Sequence, residues 1–139
     1  MDILYSTRVK ASGGRDGHAA SEDKRLTVKL DTPKELGGAG GDGTNPEQLM
    51  AAGYSACFLS ALKYAALQSK TALPEDTSVE AEIGIGHNDR GGFDLAISLQ
   101  VELPGLPPDQ AQALIDKAHD VCPYSNATRN NVEVNINKA

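Results

Sequence analysis

Residues 48–62 form a run of fifteen without a single charged side chain. On a helical projection their apolar side chains fall on nearly every side, not on one stripe. A helix of that kind is buried all round, in a core or a subunit interface, so the rest of the chain must fold around it. Its start is well marked: Asn45 suits the N-cap, Pro46 the first helical position, and Gln48 can reach back to complete a capping box. The helix then runs to about Leu67. A membrane span needs about 20 predominantly apolar residues, and this run is shorter and rich in Gly, Ser and Ala.

Period-two patterns mark strands on both sides of that helix. Ile3, Tyr5, Thr7 and Val9 alternate weakly; Leu26, Val28 and Leu30, then Val79, Ala81, Ile83 and Ile85, alternate better. The clearest series is Phe93, Leu95, Ile97, Leu99, Val101 and Leu103, and a short last strand carries Val132, Val134 and Ile136. Glycine-rich segments at residues 12–17 and 89–92 suit hairpin connections, and residues 37–43 a longer one. A second helix starts near Pro108 and stops at Pro123, with Ala111, Leu114, Ile115, Ala118 and Cys122 on one stripe. The expected fold is α+β, one domain over residues 1–139, with antiparallel hairpins and helices packed on the sheet.

The chain has 139 residues and a net charge of −6, with no Lys/Arg run. That balance argues against nucleic acid or an anionic membrane as the main partner, since both demand basic surface. The first residues lack a basic start followed by an apolar stretch, so the expected location is cytoplasmic. Two cysteines, Cys57 and Cys122, lie 65 residues apart with no CxxC. In a reducing compartment a bond between them is more often transient and functional than structural.

Taken alone, each candidate residue has a plain reading. A free Cys in a buried helix often behaves as a small hydrophobe. Burial raises its thiol pKa, so a reactive Cys57 needs a cation brought to it. Arg15, between glycines, is the available cation, though a turn Arg is commonly just solvated. Glu47 can orient it, yet an acid in the first helical turn also suits the helix dipole without further duty. Glu47 and Cys57 are ten residues apart, about 15 Å along one helix, so they cannot touch directly within one chain. Either the Arg side chain spans between them, or Arg15 and Glu47 come from a second subunit. His119, His18 and His87 stand in no cluster with metal-ligand spacing.

Several blocks in order carry a family resemblance. The run Gly43-Thr44-Asn45-Pro46-Glu47-Gln48-Leu49, with Ala51-Ala52-Gly53-Tyr54-Ser55-Ala56-Cys57-Phe58 after it, resembles the first cysteine motif of the organic hydroperoxide resistance branch of the OsmC-like superfamily. Cys122-Pro123-Tyr124-Ser125-Asn126-Ala127-Thr128-Arg129 resembles the second, and Gly13-Gly14-Arg15-Asp16-Gly17 and Pro33-Lys34-Glu35-Leu36-Gly37-Gly38 fit as well. A departure falls at Asp23-Lys24-Arg25, where the family often has a glycine turn. The related OsmC branch usually has a His before its Pro-Glu and lacks the Tyr-Ser-Asn-Ala-Thr run.

The resemblance implies an OsmC-like fold, with antiparallel sheets around a long buried central helix, and an intertwined homodimer with two sites at its interface. It implies a thiol peroxidase that reduces organic hydroperoxides to alcohols, with no bound cofactor or metal. By position Cys57 matches the peroxidatic cysteine, Cys122 the resolving one, and Arg15 with Glu47 the pair that activates the thiolate. The implied reductant is a dihydrolipoyl group on a lipoylated protein. Two further expectations follow: the helix flank with Phe58 and Leu59 favours alkyl peroxides, and a loop hinged on Gly13, Gly14 and Gly17 carries Arg15 away once a disulfide forms. A peroxide-sensing switch and a non-catalytic structural dimer are the alternatives.

Overall fold

The computed structural model describes all 139 residues. The elements in order are β1 (Val9–Ser12), β2 (His18–Ser21), β3 (Thr27–Lys29), α1 (Pro46–Gln68), β4 (Ser78–His87), β5 (Phe93–Glu102), α2 (Pro108–Val121), α3 (Pro123–Thr128) and β6 (Val134–Lys138). The fold is α+β, and the chain divides into two compact units, Met1–Leu49 and Met50–Ala139.

In the first unit β1, β2 and β3 form an antiparallel meander, with Val9 opposite Ser21 and His18 opposite Lys29. The expected first strand over Ile3, Tyr5 and Thr7 does not form, and regular pairing begins at Val9. Ile3 and Tyr5 are 67% and 77% exposed, and a strand with no hydrogen-bonded neighbour has nothing to hold it extended. Strand β2 was hidden because its buried residues, Ala19 and Ser21, are too small to print an apolar alternation. The segment after β3 returns to bridge Thr44 with Leu30 and leads into α1. There Asn45 accepts the Gln48 backbone N–H at 2.9 Å, the expected N-cap contact. The return half of the capping box is replaced: the Gln48 side chain accepts from the Thr44 hydroxyl at 2.7 Å.

In the second unit β4 and β5 pair antiparallel over ten residues each, from Ser78 opposite Glu102 to His87 opposite Phe93. The Asn88 side chain organises their turn by accepting the N–H groups of Arg90 and Gly92. Strand β6 joins β5 in parallel, with Ile97 opposite Val134, so this sheet is mixed and the all-antiparallel expectation is corrected. A parallel pair requires a long crossover, which α2 and α3 supply.

The core of this unit is the row Ile97, Leu99, Val101 and Leu103 against α1 and the stripe Ala111, Leu114, Ile115, Ala118 and Cys122. That stripe is buried along its whole length as the spacing predicts. Helix α1 buries one face within the chain, through Tyr54, Phe58, Ala61, Leu62, Ala65 and Ala66. Its other side stays open, with Tyr64 48% and Leu67 76% exposed. The burial expected on every side of the helix is thus seen on one face only. No helix is long and apolar enough to cross a membrane.

Candidate active site

Pro123 shapes the cysteine cluster of the second unit. The ring disfavours helical backbone at the residue before it, so α2 stops at Val121 and Cys122 turns extended, with φ −62° and ψ 123°. The same ring suits the first position of a helix, and α3 begins there. Cys122 thus sits at a joint between two helices, with no exposed surface. Its Sγ lies 3.4 Å from the Sγ of Cys57, and both thiols are free. Bonding needs the two sulfurs to close to about 2.05 Å, a small side-chain adjustment.

Cys57 is half-buried on α1 and packs against the core. Burial pushes its thiol above the ordinary value; a hydrogen bond from the backbone N–H of Tyr124 pulls the other way, and the Cys122 sulfur adds to the rise. Within its own unit nothing cationic offsets the burial. Phe58 is fully buried in the core, so of the two flank residues expected to meet an alkyl group only Leu59, partly buried, remains open to a ligand.

Sequence reasoning missed what holds the segment after Cys122. The Tyr54 hydroxyl, on α1, lies 2.8 Å from the Ser125 hydroxyl and 3.4 Å from that of Thr128, all three residues buried. The Tyr124 ring packs on that of Tyr54 with centroids 5.5 Å apart, and its hydroxyl end lies over Gly53. A Cβ at Gly53 would stand 2.6 Å from that hydroxyl, so a glycine leaves room for it. The only signal in the sequence was the density of hydroxyls in the second motif, and its partner on α1 is visible only in three dimensions.

Arg15 and Glu47 form a separate cluster within the first unit. Two parallel hydrogen bonds join them, Nη1 to Oε2 at 2.9 Å and Nη2 to Oε1 at 2.6 Å. This fork fixes the guanidinium plane as well as its position. The Arg15 bond holds the Glu47 carboxyl below its ordinary value, and Glu47 raises Arg15 in turn. Arg15 lies in a tight turn opened by Gly13 at φ 77°. Its neighbour Asp16, a second residue the motif reading passed over, accepts the Thr32 backbone N–H at 3.0 Å and pins the turn. Each expected pair is thus assembled in its own unit: Arg15 with Glu47, and Cys57 with Cys122. No group of three His, Cys, Asp or Glu side chains stands where it could hold a metal ion.

The model of OsmC-like protein matches residues 38–137. The chain belongs to the OsmC-like family. Among its OsmC-like relatives is an organic hydroperoxide resistance protein of Xanthomonas axonopodis pv. citri, 53% identical over 99% of this chain and 96% of the relative. Bacillus subtilis OhrB, another organic hydroperoxide resistance protein, is 40% identical over 96% of both chains. A solved organic hydroperoxide resistance protein from Legionella pneumophila superposes with a TM-score of 0.94 at 46% identity, covering 99% of both. Organic hydroperoxide resistance is the role that this OsmC-like membership supports.

Proposed function

We propose that the chain is a peroxidase that reduces organic hydroperoxides to alcohols, with Cys57 as nucleophile and Cys122 as resolving thiol. The observation that carries this reading is the 3.4 Å approach of two free thiols, one partly accessible and one fully buried. The Cys57 thiolate attacks the distal peroxide oxygen. The O–O bond breaks, the alkoxide leaves and takes a proton as the alcohol, and Cys57 becomes a sulfenic acid. The Cys122 thiol then displaces its hydroxyl as water, leaving a Cys57–Cys122 disulfide. A dithiol, of the dihydrolipoyl class, reduces that bond by exchange and is oxidised to its own disulfide.

Arg15 supplies what the surroundings of Cys57 lack. At pH 7 a thiol of pKa about 8.5 is about 3% ionised, so full ionisation adds about 30-fold, or about 2 kcal/mol. A peroxidase needs more than that. A guanidinium beside the sulfur also aligns the peroxide and stabilises the departing alkoxide. The Glu47 fork orients Arg15 for this task, whether Arg15 acts on Cys57 of its own chain or of a second copy. The reading includes an intertwined homodimer, in which a second copy covers the open face of α1 and makes it a buried central helix.

The test is hydroperoxide consumption with tert-butyl hydroperoxide as substrate and dihydrolipoamide as reductant. Turnover is expected for the native chain and background rates for Cys57→Ser. Turnover that survives Cys57→Ser would remove Cys57 from the chemistry.

A further inference from the structure

We propose that Tyr54 and Ser125 are positioning residues for the disulfide step: their hydrogen bond ties α3 to α1 one helical turn from the two cysteines and holds Cys122 in reach of Cys57. The inference rests on the proposed roles of Cys57 and Cys122 and goes beyond them to what sets the resolving rate.

The geometry is that of two rungs. Tyr54 stands three residues before Cys57 on α1, and Ser125 three residues after Cys122. The pairs 57–122 and 54–125 therefore cross-link the same two segments, which run in opposite directions. The outer rung is the hydroxyl pair at 2.8 Å; the inner is the thiol pair at 3.4 Å. Tyr54 and Ser125 have no exposed surface, and Thr128 completes the cluster by donating to the Ser125 carbonyl oxygen at 3.1 Å. A hydroxyl group lacking a partner there is costly, so the rung has one favoured arrangement. Tyr124, between the rungs, carries the backbone N–H that pulls the Cys57 thiol down against the effect of burial. The same tie that places Cys122 therefore also holds the Tyr124 backbone that acts on the Cys57 thiol.

The step that depends on the rung is Cys57–SOH + HS–Cys122 → Cys57–S–S–Cys122 + H2O. Its competitor is Cys57–SOH + ROOH → Cys57–SO2H + ROH, which wastes the enzyme. Loosening α3 slows the first reaction and leaves the second open. The ratio of disulfide to sulfinic acid reads this directly.

The experiment treats the reduced full chain with tert-butyl hydroperoxide and follows disulfide and sulfinic acid by mass spectrometry. Tyr54→Phe and Ser125→Ala are expected to slow disulfide formation about tenfold, and to lower the hydroperoxide concentration that half-oxidises Cys57 to sulfinic acid by a similar factor. Both are expected to move Cys57 alkylation to higher pH, a readout that a loss of bulk stability alone does not shift. Ser125→Thr, which keeps a hydroxyl, is expected to restore both properties, and the double variant to be no worse than either single one. Variants that are folded at the assay temperature yet resolve at the native rate with a native alkylation profile would overturn the proposal. A native chain that forms no disulfide at all would instead overturn the functional reading beneath it.

Discussion

Burial pushes the Cys57 thiol above its ordinary value, and this desolvation outweighs the opposing influence of the Tyr124 backbone N–H. Arg15 is the residue proposed to reverse that balance. Arg15→Ala is expected to lower hydroperoxide reduction about 100-fold, on the scale of losing a charged donor to a developing oxyanion, and to shift Cys57 alkylation to higher pH. An alkylation profile that does not move would separate Arg15 from the thiolate. Glu47 gives a second prediction. Its folded pKa is depressed, chiefly by the Arg15 bond, so its stabilising effect is complete above the ordinary Glu value of about 4.3 and is lost as pH falls through the lower folded value. Thermal melts of native chain and Glu47→Gln should differ by a constant amount near neutrality and converge in acid. A gap that widens in acid would contradict the assignment. At this scale the four proposed site residues were legible only as motif positions. Tyr54 was not, because a Tyr in an apolar helix reads as core until its partner at Ser125 is seen 71 residues away.

Among the elements, the joint between α2 and α3 is the one whose shape most directly serves the proposed chemistry. Proline is needed there twice, to stop α2 before Cys122 and to start α3 after it. Pro123→Ala removes the block and allows α2 to continue through Cys122, drawing its sulfur off Cys57. The expected result is disulfide formation slowed about tenfold with the initial attack on peroxide retained, resolved by rapid quench and mass spectrometry. Equal slowing of both steps would count against a role confined to the joint. The two helices and the long hairpin were readable because their apolar positions repeat at helical or alternate spacing and are filled by large side chains. The proline that ends α2 was readable too, but not that it begins another helix, since six residues print no periodicity. The parallel setting of β6 was out of reach because a strand's pattern records which face is buried, not its direction.

For the molecule as a whole, the unresolved quantity in the sequence was always what surrounds α1. Its charge-free run predicts burial on every side, and a single chain covers one face. The proposed homodimer would account for the difference, and sedimentation equilibrium should then give twice the chain mass of 14.6 kDa. A species of single-chain mass that still turns over peroxide would contradict that part of the account. The measurement that bears most directly on the central claim is a single turnover. The fully reduced chain is mixed with one equivalent of tert-butyl hydroperoxide, quenched by alkylation and mapped by peptide mass. The account predicts loss of two hydrogens and one linked peptide pair joining Cys57 to Cys122. Recovery of both cysteines as free, alkylated thiols, with the hydroperoxide intact, would contradict it.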